Sequence, residues 1–135
     1  MKLTFKIKKS SDYIFDYLTN MQKFVTVHPV ITKIQKNIDN SYLVYETLKI
    51  GFIPFSITYT VTIESMPANN TVIMRATVMK LTKIEMKFVM KQDNGFTIVE
   101  ENILFKSPLP VKSFMQNIFK KQHEQLFKNI EESKK

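Results

Sequence analysis

Apolar residues recur along this chain with two periods, and the points where the period changes outline its elements. Residues 2–8 set Leu3, Phe5 and Ile7 on one side of an extended segment, the period-2 pattern of a half-buried strand. Ser10 then offers a hydroxyl to an unpaired helical N–H, and Asp12 suits the positive end of a helix. Tyr13, Ile14, Tyr17 and Leu18 follow at helical spacing, so the pattern predicts a helix over 11–19. A second, shorter helix over 21–27 must stop at His28, because the residue before Pro29 is pushed out of the α region.

From Ile31 onward the period is two. The segments 31–38, 42–50, 55–64, 71–81, 83–91 and 96–106 read as strands separated by turn chemistry. Asp39-Asn40-Ser41, then Gly51 with Pro54, then Pro67 to Asn70 close successive segments, and Asn94-Gly95 is the strongest two-residue hairpin turn. The boundary near Leu81-Thr82 carries the weakest signal. Connections this short force antiparallel pairing, since a parallel crossover needs about a dozen residues or more. Ser107-Pro-Leu-Pro110 ends the run, and Val111, Phe114, Met115, Ile118, Phe119, Leu126 and Ile130 share one stripe of a helix expected over 111–131.

The resulting order, β-α-α-β6-α, belongs to the α+β class. A twisted antiparallel sheet of about seven strands has an apolar face to cover, and the last helix is the only element long enough to cover it. The expectation is a helix-grip fold over 1–135 as one domain, with an elongated, mostly apolar cavity between sheet and helix.

Composition removes whole classes of chemistry. Of 135 residues, 44% are hydrophobic and 24% charged, which argues for a folded globular chain. Two glycines cannot build a GxGxxG dinucleotide loop, and they do not stand at the spacing of a Walker loop. The lack of cysteine excludes disulfides, thiolate nucleophiles and iron–sulfur clusters, and two histidines cannot make a three-histidine zinc site. No metal or other cofactor is expected. The net charge of +8 raises the question of an anionic partner, but Arg75 is the only arginine and the lysines are scattered. They read as a solvated surface, and nucleic acid is not the expected partner. No run approaches the roughly 20 apolar residues of a membrane span, and residues 1–8 alternate instead of forming a leader, which points to a cytoplasmic protein without a transmembrane segment.

The capped first helix Ser10-Ser-Asp-Tyr-Ile-Phe-Asp-Tyr-Leu-Thr-Asn20, the Met21-Gln-Lys-Phe segment running to His28-Pro29, the six-strand meander and the helix after Pro108-Leu-Pro110 together resemble the START-like, or Bet v 1-like, superfamily (SRPBCC type). That group includes polyketide cyclases/dehydrases and lipid-transport proteins. The resemblance spans essentially the whole chain and rests on order and pattern, with no catalytic signature. It implies a cavity for a small hydrophobic molecule such as a lipid, sterol, polyketide or quinone. Some members catalyse cyclisation or dehydration, and others bind macromolecules.

Several polar residues are candidates for the cavity. Gln122 sits in the middle of the last helix's stripe, beside Met115, Ile118 and Phe119, where an amide needs a partner in ligand or protein. Glu46 and Glu101 alternate with apolar neighbours and face the apolar side of their strands unless the register is reversed, in which case Glu100 turns inward. A buried carboxylate demands a partner, for which Arg75 is the candidate. His123, at the stripe's edge, is a possible general acid or base, though that position is more often surface. Tyr13, Tyr45 and Tyr59 pair apolar bodies with hydroxyls, and Met74, Met79, Met86 and Met90 suit an adaptable lining. His28 reads as a loop residue.

Three functions remain open on the sequence. The first is binding or carriage of a hydrophobic ligand without catalysis. The second is a cyclase- or dehydratase-type enzyme that moves a proton through Glu46, Glu101 or His123, which requires titratable groups to converge in the cavity. The third is a ribosome- or chaperone-associated adaptor, which requires clustered surface lysines.

Overall fold

The computed structural model describes residues 1–134. Strand β1 (Lys2–Ile7) leads into helices α1 (Ser11–Thr19) and α2 (Met21–Val27). Strands β2 (Ile31–Lys36), β3 (Tyr42–Ile50), β4 (Ile53–Met66), β5 (Thr71–Val78), β6 (Thr82–Asp93) and β7 (Phe96–Lys106) follow, with a single 3-10 turn at Pro67–Asn69, and α3 (Lys112–Glu132) closes the order. The seven strands form one antiparallel sheet in the order β1-β7-β6-β5-β4-β3-β2. The first strand therefore pairs with the last at one edge, and the meander runs from that pair to β2 at the other edge.

Local chemistry explains the helix ends. Ser10 caps α1 by accepting the Tyr13 N–H at 3.1 Å. Asn20 ends α1 and begins α2, its side-chain oxygen accepting from the N–H groups of Gln22 and Lys23. One residue thus breaks what would otherwise run as a single helix.

Two strands end earlier than their apolar pattern predicts. β2 stops at Lys36 and leaves Ile38 in an exposed turn. β5 stops at Val78, because Met79 and Lys80 take left-handed conformations at φ +53° and +61°. Methionine and lysine carry no sequence mark for such a turn and pay a steric cost for it. The Asn94-Gly95 turn, at φ +46° and +84°, is the left-handed pair its sequence announces.

Strand directions sort the connections into two ends. The β3–β4 turn at Gly51-Phe52, the β5–β6 turn at 79–81 and the loop into α3 share one end. The β2–β3, β4–β5 and β6–β7 turns share the other. Alternation places Val44, Val72, Met74, Met86, Phe88 and Val99 on the inner, buried face. The buried side chains of α3, namely His123, Leu126, Phe127 and Ile130, all belong to its second half, where Phe127 stacks on Phe5 at 4.5 Å. The first half of α3 contributes no fully buried side chain, and Val111, at its start, provides no side-chain cap. This half packs on the core through the partly buried Met115 and Phe119.

Among the described residues, no helix is long and apolar enough to cross a membrane.

Candidate functional site

Between the inner face of the sheet, α2 and the middle of α3 lies a cavity of about 40 Å³. That is room for roughly three water molecules. Met21 and Phe24 of α2 form one wall, with His28 at the end of that helix. Val44, Glu46, Tyr59, Met74, Met86 and Phe88 form the sheet side, and Phe119, Gln122 and His123 the α3 side. The lining is apolar apart from a few groups, and among those few no lysine or arginine occurs.

The deepest polar contact joins α3 to β7. His123 Nδ1 lies 2.7 Å from Oε1 and 2.6 Å from Oε2 of Glu101, and the two side chains are 4% and 0% exposed. Only Oε1 is aligned for a hydrogen bond, and Oε2 has no aligned partner among the described residues. Glu101 is inward because it alternates with Val99 and Ile103, both buried. Its neighbour Glu100 points outward, toward Lys2 and Lys91. With Nδ1–H donated to the carboxylate, His123 leaves Nε2 without a hydrogen-bond partner among the described residues.

On the sheet side, the Tyr59 hydroxyl donates to Glu46 Oε1 at 3.0 Å. Burial pushes the Glu46 carboxyl above its ordinary range, opposed by the Tyr59 hydrogen bond and by His123. Burial, then the charge of Glu46, pushes the Tyr59 hydroxyl well above its usual value, so it stays a donor. His28 Nδ1 accepts the N–H groups of Val30 at 3.3 Å and Ile31 at 3.2 Å, which assigns the ring proton to Nε2. Burial, with His123 adding to it, lowers His28 to about 3, so the ring is neutral. The two imidazoles stand edge to face, 6.5 Å between centroids.

The structure thus brings Glu46, Tyr59, Phe119, Gln122 and His123 to one cavity and places Glu101 directly behind His123. Gln122 is half-buried and also lines an outer cleft with Thr47, Leu48, Lys49 and Ile118. Other candidates lie elsewhere. Arg75 is on the outer face, bonded to Glu64 and Glu85 at 3.1 and 3.0 Å, and is not the counter-ion of Glu46 or Glu101. Its strand alternates Met74 and Ala76 inward, which sends Arg75 outward. Tyr45 likewise alternates with Val44 and Glu46, so its hydroxyl meets Gln35 on the outer face. Met115 packs against the core without lining the cavity, and Ile118 faces the cleft. Tyr13 bonds Ser133 at the far end, and Met79 is exposed. His123 is buried instead of lying at the surface. His28, which reads as a loop residue, is a cavity wall because α2 stops against the start of β2. Only its position before Pro29 hints at this.

Among the described residues no three histidine, aspartate or glutamate side chains are grouped to hold a metal ion.

The family model of CoxG, a subunit of carbon monoxide dehydrogenase, matches residues 4–133. The chain belongs to the CoxG family. A search of curated proteins finds no match. Among solved structures, this CoxG-family chain is similar to a conserved protein from Geobacillus kaustophilus, with a TM-score of 0.78 at 9% identity over 96% of this chain and 91% of that one. It is similar to a START superfamily protein from Mycobacterium smegmatis, with a TM-score of 0.70 at 16% identity over 97% and 93%. It is also similar to the di-domain ARO/CYC protein StfQ from the steffimycin biosynthetic pathway, with a TM-score of 0.75 at 7% identity over 97% of this chain and 48% of that one. These likenesses establish the helix-grip fold.

Proposed function

We propose that this CoxG-family chain binds a small, largely hydrophobic molecule bearing a neutral hydrogen-bonding group, held between the sheet and the middle of α3. The observation that carries this reading is the composition of the cavity wall. Apolar side chains surround Tyr59–Glu46, neutral His28, Gln122 and His123, and the wall offers no lysine or arginine to match an anionic headgroup. Carboxylate-headed lipids would set a third buried carboxylate near Glu46 and Glu101. An alcohol, ketone or phenol meets donors and acceptors without a buried charge.

The closed cavity has room for a few waters only, so binding requires expansion. Two features support it. Met21, Met74 and Met86 are unbranched and adapt to different shapes, and the first half of α3 anchors no fully buried side chain. The test is titration with N-phenyl-1-naphthylamine, a neutral apolar fluorophore. Saturable 1:1 binding, displaced by dodecanol but not by equal dodecanoate and weakened at least tenfold by Met86→Trp, is the expected result. Non-saturable binding, or equal displacement by the two competitors, overturns the reading.

A second reading, a proton-transfer enzyme of the cyclase/dehydratase kind, is favoured by one arrangement. His123 is held from behind by Glu101, and Glu46 stands on the same cavity. This reading expects deuterium exchange at the α-carbons of 2-tetralone, an apolar ketone, that disappears in His123→Gln. Exchange no faster than in buffer leaves the chain a binding protein.

A further inference from the structure

The chain has two histidines, and the fold brings both to one cavity with opposite hydrogen-bonding roles. His28 is held by backbone. Its Nδ1 accepts the N–H groups of Val30 and Ile31 at 3.3 and 3.2 Å, so the ring proton sits on Nε2 and that atom is a donor. His123 is held by a side chain. Its Nδ1–H is taken by the Glu101 carboxylate, 2.7 Å from Oε1, so its Nε2 carries a lone pair and is an acceptor. Each ring is thus fixed in one tautomer by the partner of its Nδ1.

Neither Nε2 has a hydrogen-bond partner among the described residues. Glu101 Oε2 is nevertheless the one fully buried side-chain nitrogen or oxygen left without a partner among them, so both Nε2 atoms have open space beside them. The rings stand nearly perpendicular, at 81° and 6.5 Å between centroids, and do not bond each other. Phe24 packs on His28, and Phe88 and Phe119 pack on His123, which leaves the flanks of the pair apolar. The polar group that completes the pair comes from the cavity, which both rings line.

We propose that His28 and His123 form a two-point clamp for a single hydroxyl group, so that the cavity takes a neutral apolar alcohol or phenol and not a ketone or ether. Resting on the cavity-binding reading above, the clamp narrows its ligand to one functional group. A hydroxyl donates to His123 Nε2 and accepts the His28 Nε2–H on the same oxygen, and one oxygen bonded at about 2.9 Å to each nitrogen spans a gap of up to about 6 Å. A ketone or ether oxygen accepts from His28 but leaves the His123 lone pair unmatched in an apolar site. An alkylammonium has no lone pair for His28, and a carboxylate accepts only, beside the buried Glu46 and Glu101. The Tyr59 proton is committed to Glu46, and Gln122 can turn either end of its amide inward, so neither selects as the two imidazoles do.

The test compares 2-naphthol with its methyl ether, 2-methoxynaphthalene, as competitors of N-phenyl-1-naphthylamine at pH 7. Apolar burial alone favours the ether, which carries one more methyl group. The clamp reverses that order, with 2-naphthol displacing the fluorophore at least about tenfold more tightly, because the ether strands a buried acceptor. His28→Asn keeps an oxygen for the Val30 and Ile31 N–H groups but removes the imidazole donor, and should cut the preference to under about threefold. Long-range proton–nitrogen NMR spectra of the wild-type rings read the tautomers without any variant. His123 should carry its proton on Nδ1 and His28 on Nε2, and 2-naphthol should shift both Nε2 signals together. Equal or tighter displacement by the ether, a preference that survives His28→Asn, or a proton on His123 Nε2 overturns the clamp alone. Failure of N-phenyl-1-naphthylamine to saturate overturns the cavity reading and the clamp with it, so the two failures are told apart.

Discussion

His28 should make the fold acid-sensitive in a way that one substitution removes. Its folded pKa is lowered from 6.5 to about 3, by burial first and by the neighbouring His123 second. The unfolded chain therefore takes up the proton first as the pH falls. The stability contributed by neutral His28 is complete above pH 6.5 and is lost progressively between 6.5 and 3. At about 1.4 kcal/mol per pH unit, the loss at pH 5 is about 2 kcal/mol, and across the whole interval it approaches about 5 kcal/mol. Glu46 works in the opposite direction. Its folded pKa is raised, so its ionisation opposes folding at higher pH and that penalty is relieved as the pH drops through the raised value. The raw pH profile therefore mixes two signs. His28→Asn separates them, because an asparagine oxygen can still accept the Val30 and Ile31 N–H groups without titrating. Urea unfolding of both proteins at pH 7 and pH 5 should show the difference in stability moving by about 2 kcal/mol in favour of the variant at the lower pH. A change under about 0.5 kcal/mol, or a His28 titration near 6.5 by NMR, refutes the reasoning.

Three further outcomes follow from the same geometry. Removing one member of the His123–Glu101 pair, by Glu101→Leu or His123→Phe, should cost about 3 kcal/mol in urea unfolding, and the double variant should cost clearly less than the sum, because the cost comes from a partner stranded in the core. Arg75→Ala should change stability by no more than about 1 kcal/mol and leave N-phenyl-1-naphthylamine affinity unaltered, since its ion pairs are about half exposed on the outer face. Lys80→Gly, at φ +61°, should raise the thermal midpoint, the relief of left-handed strain being worth up to about 1 kcal/mol.

Periodicity made the fold legible because each element has one buried face and a polar boundary. Ser10, Asn20, Pro29 and Asn94-Gly95 each mark their boundary by a hydrogen bond or dihedral that the residue type prefers. The β5–β6 turn escaped because Met79 and Lys80 adopt left-handed backbone that their side chains disfavour. The site was legible where a polar residue interrupts a clear apolar alternation, as Glu46 and Glu101 do. It was misleading at Arg75 and Tyr45, where both faces of the strand carry apolar residues and the inward face depends on tertiary pairing. His28 and His123 are separated by 95 positions in sequence, and only the packing of α2 against α3 brings their rings together.

The central claim is that the closed space beneath α3 opens to take a neutral apolar molecule, and methyl NMR of the methionines tests it most directly. The chain carries eight methionines, three of which, Met21, Met74 and Met86, line the cavity, while Met79 is 76% exposed at a hairpin tip. On titration with N-phenyl-1-naphthylamine, the methyl signals of Met21, Met74 and Met86 should shift together and saturate at one equivalent while Met79 stays in place. Shifts confined to Met79, or none at the three cavity methionines, would contradict the account.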